Sequence, residues 1–149
     1  MIAISGVPAS GKTYLCERLV RSGFRCISLS DLPEFRAVAH DGTVDLEDLA
    51  GIVPETEFIE SHLSHLMNVD AVLILEADEN TLVLRMKSRG YSDAKIQENV
   101  DAQRCGAIYY EALERLPANR IRVIRSDIHS TDPLKEAVEL LERFGHEDR

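Results

Sequence analysis

The sequence has few of the features that mark secreted, membrane-spanning or metal-binding proteins. Its only three cysteines, Cys16, Cys26 and Cys105, lie far apart and form no C-x-x-C pair, so neither a disulfide framework nor a zinc site follows from them. We expect small, buried, free cysteines in a reducing compartment. No apolar run approaches the roughly 20 residues that a membrane-spanning helix needs. The N-terminal MIAISG lacks the basic segment of a signal peptide, so we expect a cytoplasmic protein without membrane contact.

Positive charge is also scarce. The chain has 17 lysines and arginines against 26 acidic residues, which gives a net charge of −9 at pH 7. Because nonspecific binding to nucleic acid requires a basic surface, direct nucleic-acid binding is not expected. An acidic surface is compatible with a basic protein partner.

The chain has the length and composition of one globular domain, and it has no internal repeat or linker. Its 149 residues are 44% hydrophobic and 29% charged, which is ordinary for a soluble fold. Residues 31–54 contain turn signals and at most a short helix near 45–52, while 55–67 fit either a helical stripe or a short strand. Alternating strands and helices predict a three-layer α/β fold with a parallel sheet. The predicted strands are 2–5, 24–30, 71–77 and 121–126, and the predicted helices are 11–21, 79–88, 93–116 and 131–145.

Residues 6–13, GVPASGKT, match the phosphate-binding pattern G-x-x-x-x-G-K-[ST] between a predicted strand and a predicted helix. Glycines and small residues let backbone N–H groups wrap closely around phosphate oxygens, and the helix N-terminus adds further donors. Lys12 is expected to reach the β- and γ-phosphates, and Thr13 to bind Mg²⁺. The predicted ATP-binding residues are Gly6, Ala9, Ser10, Gly11, Lys12, Thr13, Tyr14 and Arg89.

The motif does not by itself identify the reaction. The chain lacks the N-K-x-D pattern by which GTPases recognise guanine, and it is too short for a large motor protein. Small nucleotide or metabolite kinases remain, and these need a second substrate site beside the phosphates.

Five separated stretches of the chain are informative when taken together. They are GVPASGKT, ISLSDL at 27–32, HDG at 40–42, IESHLSHLM at 59–67 and RGYSDAKIQENV at 89–100. These stretches resemble the adenylate kinase isoenzyme 6 group of nucleotide kinases, in a short archaeal-type form. The resemblance implies a nucleoside monophosphate kinase-like P-loop domain over residues 1–149, with five parallel strands. It also implies an acceptor segment at about 29–52 and a short lid at about 88–98, and it favours a strand followed by a loop at 55–67.

The resemblance places Glu60 in the position of the Walker B carboxylate, where it would bind Mg²⁺ together with Thr13. The stretch TEFIES is more polar than a central strand usually is, so a solvated charge is the alternative for Glu60. His62 lies in a position implied to face the acceptor nucleotide, with a locally hydrogen-bonded structural histidine as the alternative. His65 is expected to be structural.

Four further residues are candidates for substrate contact. Arg85 and Arg89 lie four residues apart at a helix end, so they share one face and can neutralise charge on a transferring phosphoryl group as a lid closes; the alternative is two surface arginines. Asp31 follows the second strand and would contact the acceptor nucleotide or orient Lys12, or simply cap a helix. Arg36 would bind the acceptor phosphate. The loop at 126–131 is expected to face adenine through its backbone.

Three functions fit these observations. The first is an Mg-ATP-dependent nucleoside monophosphate kinase, with ATP and AMP as substrates. The resemblance also implies the second, an ATP-switched assembly factor, or ATPase, that binds a basic protein of the small ribosomal subunit. The third is a kinase for a small metabolite, which would share the phosphate loop but have a different acceptor pocket.

Overall fold

A five-stranded, entirely parallel sheet forms the centre of the protein. The structure is a computed structural model that describes residues 1–41 and 43–145. The strand order is β2-β3-β1-β4-β5, so β1 is central and β2 and β5 are the edges. The strands are β1 (Ile2–Ser5), β2 (Cys26–Ser28), β3 (Phe58–Glu60), β4 (Ala71–Glu76) and β5 (Ile121–Arg125).

The described residues contain seven α-helices, of which six lie between strands and α7 follows β5. They are α1 (Lys12–Arg21), α2 (Pro33–Val38), α3 (Leu46–Ala50), α4 (Glu79–Ser88), α5 (Asp93–Arg104), α6 (Ala107–Leu113) and α7 (Pro133–Phe144). The Asp132 carboxylate accepts the Leu134 N–H at 3.1 Å and caps α7. None of these helices has the length and apolar character needed to span a bilayer.

The two faces of the sheet bury two separate cores, because successive residues of a strand point to opposite sides. Ile2 and Ile4 pack on one face against α1 and α7. Ala3 packs on the other face, in the cluster to which α3 and α6 contribute. This arrangement confirms the predicted three-layer α/β fold. A third cluster joins α4 and α5 to Val7 and Ala9 of the phosphate loop, and it fixes these helices beside the carboxyl edge of the sheet.

The helix predicted over 93–116 is two helices. It is interrupted at Cys105 and Gly106, where Gly106 has a φ of 67° and begins α6. This left-handed conformation favours glycine, and it changes the chain direction so that α6 packs beneath the sheet.

The acceptor segment contains more helix than predicted. The helix near 45–52 is confirmed as α3, but the sequence interpretation missed α2. Residue 42 of the HDG turn lies outside the described residues, whereas His40 and Thr43 exchange backbone hydrogen bonds of 2.8 and 2.9 Å.

The expectation of three free, buried cysteines was wrong. Cys16 of α1 and Cys26 of β2 form a disulfide, with their Cα atoms 5.5 Å apart. Cys105 is an exposed free thiol. The disulfide forms because α1 packs against β2 and brings the two side chains together. The spacing of the cysteines in the sequence did not indicate this pairing.

Candidate active site

The phosphate loop runs from the end of β1 to the start of α1, and its backbone has the shape that the sequence motif predicts. Gly6, Ala9 and Gly11 have φ values of 150°, 70° and 105°. A Cβ atom on Gly6 would lie 2.6 Å from the backbone oxygen of Leu75, so a side chain cannot be accommodated there without a shift. Ser10 is fully buried within the loop. The loop therefore requires glycine at position 6, where its buried neighbours leave no room for a side chain.

Lys12 folds back over this loop. Its Nζ donates to the backbone oxygens of Gly6 at 2.9 Å and Val7 at 2.8 Å. Burial lowers the pKa of Lys12 to about 8; the nearby Glu60 carboxylate opposes this shift, and the positive charge of Arg89 adds to it. The ammonium group thus lies in the electrostatic field of both a carboxylate and a second cation.

Arg85 and Arg89, at the carboxyl end of α4, complete a cationic group around the loop. Arg85 Nη1 donates to the backbone oxygen of Ala9 at 2.9 Å, and Arg89 is the C-cap residue of the helix. Both line a cavity of about 460 Å³ together with Lys12 and Thr13. The structure thereby brings Arg85 and Arg89 to the cavity that Lys12 lines, although Lys12 lies far from them in the sequence.

Glu60 ends β3 beside the same loop. It is paired in register with Ile4 of β1 and Ser28 of β2, only 7% of it is exposed, and the Ser28 hydroxyl donates to its carboxylate. The alternative of a solvated charge is therefore wrong, although the role of Glu60 as a metal ligand stays a prediction. Within residues 1–41 and 43–145, no group of three or more acidic, histidine or cysteine side chains could hold a metal ion.

The predicted acceptor residues lie outside this cavity. Asp31 and Arg36 have side chains that are 76% and 65% exposed, and they approach each other to 3.8 Å. Arg36 Nε also donates to the backbone oxygen of Ser30 at 2.9 Å. Asp31 lines a second, open groove of about 760 Å³ that shares Thr13 with the first cavity, so the two spaces meet at the start of α1.

His62 follows β3 and has a lowered pKa. Burial is the main cause, and the positive charges of Lys12, His65 and Lys95 contribute further. Lys95 belongs to α5, within the predicted lid, so the electrostatic field of that helix reaches the carboxyl edge of the sheet. His62 therefore lies within electrostatic range of both the phosphate loop and α5, and its two predicted roles stay predictions.

Comparison with known proteins identifies the family. A family model described as "AAA domain" matches residues 2–106. Proteins named "Putative adenylate kinase" from Thermoplasma volcanium and Thermoplasma acidophilum are 41% and 43% identical to this chain. The alignments cover 94% of this chain and 93% of the first relative, and 85% of this chain and 87% of the second. The chain belongs to this adenylate kinase-like family.

A solved structure of similar fold agrees with the family assignment. Thymidylate kinase from Candida albicans superposes with a TM-score of 0.50 at 15% identity, over 95% of this chain and 90% of that chain. At this identity the likeness concerns the fold alone. Taken with the relatives, the protein is a phosphotransferase of the nucleotide kinase type.

The cavity of this kinase is also lined by Arg18 and Pro133, which the sequence interpretation missed, and by Ser126, the first residue of the loop at 126–131 that was expected to face adenine. Ser126 Oγ donates to the backbone oxygen of Ser10 at 2.6 Å, which ties the loop after β5 to the phosphate loop. Arg18 and Pro133 line the cavity from α1 and the start of α7. A signal existed for Arg18, because it lies one helical turn beyond Tyr14 on the same face. The contact of Ser126 depends on chain folding and has no local signal.

His65 is buried, in agreement with the expected structural role. Its Nε2 lies 2.9 Å from Glu111 Oε1 on α6, and its Nδ1 lies 2.9 Å from Ser5 Oγ at the end of β1. Because a carboxylate only accepts, Nε2 carries the proton and the Ser5 hydroxyl donates to Nδ1. Burial lowers the pKa of His65 and the Glu111 carboxylate opposes the shift. This neutral histidine links α6 to the residue that precedes the phosphate loop of the kinase.

Proposed function

We propose that the protein is an Mg-ATP-dependent adenylate kinase that catalyses ATP + AMP = 2 ADP. The observation that carries the proposal is the convergence of Lys12, Arg85 and Arg89 on one cavity with the phosphate loop. The names of the archaeal relatives support the nucleotide acceptor.

Phosphoryl transfer needs positioning and charge neutralisation more than covalent chemistry. Backbone N–H groups between Gly6 and Thr13 are proposed to hold the β- and γ-phosphates. Lys12, at present hydrogen-bonded to loop carbonyls, would exchange those bonds for phosphate oxygens. Arg85 and Arg89 would neutralise charge that develops on the transferred group.

Mg²⁺ is proposed as the cofactor, with Thr13 and Glu60 as the residues that would hold it. Their donors fit, because Mg²⁺ prefers oxygen ligands and commonly takes only one or two from the protein, directly or through water. Glu60 is buried beside the phosphate loop and has a fixed orientation through Ser28. When bound, Mg²⁺ would neutralise part of the negative charge on the phosphates.

We propose that the acceptor nucleotide binds over residues 29–52, with Asp31, Arg36 and His62 as its contacts. Residues 88–98 would form the lid. Its closure would shield the cavity from water, which would otherwise receive the phosphoryl group in place of the acceptor. The exposed Arg36 guanidinium has donors available for an acceptor phosphate.

A coupled assay for ADP tests the proposal. With Mg-ATP alone, ADP formation should be slow; addition of AMP should raise it, with two ADP formed per ATP consumed. Strict dependence on a non-nucleotide acceptor would overturn the proposal and favour a metabolite kinase. Replacing AMP by other nucleoside monophosphates in the same assay determines the acceptor preference.

The net charge of −9 favours a second candidate. In it the protein is an ATP-switched assembly factor that binds a basic protein of the small ribosomal subunit. Slow ATP hydrolysis without AMP that changes when such a protein is added would support this function. The two functions can coexist, so the assay should be run with both additions separately and together.

A further inference from the structure

Tyr14 is an exposed aromatic residue on the wall of the phosphate-loop cavity. It lies in the first turn of α1, directly after Thr13, and 63% of it is exposed. The chain has only eight aromatic residues, four tyrosines and four phenylalanines. An aromatic ring that stays in water loses the stabilisation that burial would provide, so a ring presented to a cavity points to a ligand.

Arg18 holds this ring from one side. Its guanidinium carbon lies 6.0 Å from the centre of the Tyr14 ring, within the range of a cation–π contact. Arg18 Nη1 also lies 3.4 Å from Asp132 Oδ1, and the same carboxylate oxygen accepts the Leu134 N–H. Ring, guanidinium and carboxylate thus form a chain that connects α1 to the start of α7.

The lining of the cavity divides into two groups of different chemistry. Lys12, Arg85 and Arg89 gather around the loop, whereas Tyr14 and Arg18 gather near Pro133 at the start of α7. A nucleoside triphosphate has the same division, with a polyanion at one end and a flat base at the other. The three cations around the loop would bind the phosphates. The Tyr14 ring, which belongs to the other group, would then contact the base.

We propose that Tyr14, oriented by Arg18, is the stacking surface for the base of the donor nucleotide. The inference rests on the proposed function, since it requires a nucleoside triphosphate in this cavity. Stacking uses the face of a ring and requires no hydrogen bond. Tyr14 therefore provides affinity for a flat base, and a purine, with its larger face, gains more from it than a pyrimidine does.

Calorimetric titration of Mg-ATP into the full chain tests this role. Tyr14→Ala should weaken ATP binding about tenfold, as is typical for loss of one base–aromatic stack. Tyr14→Phe retains the ring and should restore affinity. Tyr110→Ala is a matched control, because Tyr110 is also 63% exposed but lies on α6 away from the cavity; it should leave ATP affinity unchanged.

Inorganic tripolyphosphate, used as a competitor of ATP, separates base binding from phosphate binding. It has no base, so its affinity should be equal in the unmodified protein and in Tyr14→Ala. Equal losses for ATP and tripolyphosphate would overturn the inference, as would unchanged ATP affinity in Tyr14→Ala. If the unmodified protein binds no ATP at all, the proposed function fails, and the base-stacking role fails with it.

Discussion

The two proposed substrate regions of this kinase, the donor region around the phosphate loop and the acceptor region over residues 29–52, are built in different ways. In the donor region, burial and hydrogen bonds hold central groups in place: Ser10 is fully buried and Lys12 is held by two carbonyls. In the segment 29–52, by contrast, the helix α2 has no buried residue, and Asp31 and Arg36 are largely exposed. The proposed donor site is thus formed in advance, whereas the proposed acceptor contacts are surface side chains that a substrate would have to order. Substitutions around the phosphate loop should therefore reduce ATP affinity or turnover far more than substitutions in residues 29–52.

Replacing Arg89 by alanine should have the largest effect. We expect phosphoryl transfer to fall roughly 10³-fold or more, because arginine fingers contribute on that scale. The measurement is kcat in the coupled assay with AMP. Arg143→Ala is the control, since Arg143 is exposed at the end of α7, far along the chain from the loop. Near-normal turnover of Arg89→Ala would show that Arg89 is a surface arginine.

Adding one methyl group at a glycine compares the two regions directly. In Gly6→Ala the new Cβ would lie 2.5 Å from Ser10 Oγ and 2.6 Å from the Leu75 carbonyl oxygen, so the loop must shift and ATP affinity should fall about a hundredfold. In Gly51→Ala, in the acceptor segment, the nearest atom lies at 3.5 Å, and affinity should not change. Calorimetry with Mg-ATP measures both. Similar losses in the two variants would contradict the contrast between the regions.

The pH dependence of ATP binding should report the burial of Lys12. Its pKa is lowered to about 8, so above pH 8 the free protein loses the charge that binds phosphate. Phosphates favour the protonated amine and raise its pKa in the complex. ATP affinity should therefore be flat just below pH 8 and fall about tenfold per pH unit above it. Because arginine stays charged over this pH range, Lys12→Arg should remove the fall in ATP affinity above pH 8. A fall that persists in this variant would show that another group is responsible.

Loss of Arg36 should have the smallest effect. Arg36→Ala should raise KM for AMP about fivefold, as is typical for an exposed charged contact, and leave KM for ATP unchanged. Arg25→Ala is a close control, because Arg25 is similarly exposed and also approaches a carboxylate, Glu57, at 3.8 Å. A change in KM for ATP rather than AMP would place Arg36 at the donor side.

The donor region was also the more predictable one from sequence. A buried apolar strand, a glycine loop and a helix with one apolar face are local signals, and residues 2–21 fold as those signals indicate. The segment proposed for the acceptor gave weaker signals: α2 is six residues long and begins at Pro33, and only Phe35 and Val38 of it pack, partly buried, against the core, so its apolar pattern is too short to detect.

Contacts between distant parts of the chain could not be predicted. The hydrogen bond from Ser28 to Glu60 and the link from Ser5 through His65 to Glu111 join residues that meet only after the sheet has formed. The disulfide between Cys16 and Cys26 is of the same kind. Sequence patterns specify the elements, whereas tertiary packing decides which polar side chains meet.

The pairing of Cys16 with Cys26 leaves Cys105 as the single free thiol of a three-cysteine chain, exposed at the junction of α5 and α6. A maleimide dye would react there selectively in the unaltered protein, with no engineered residue. Its emission would follow rearrangements of α5 relative to α6 in real time as nucleotides are mixed in. Cys105 is therefore a natural labelling site for a fluorescent reporter.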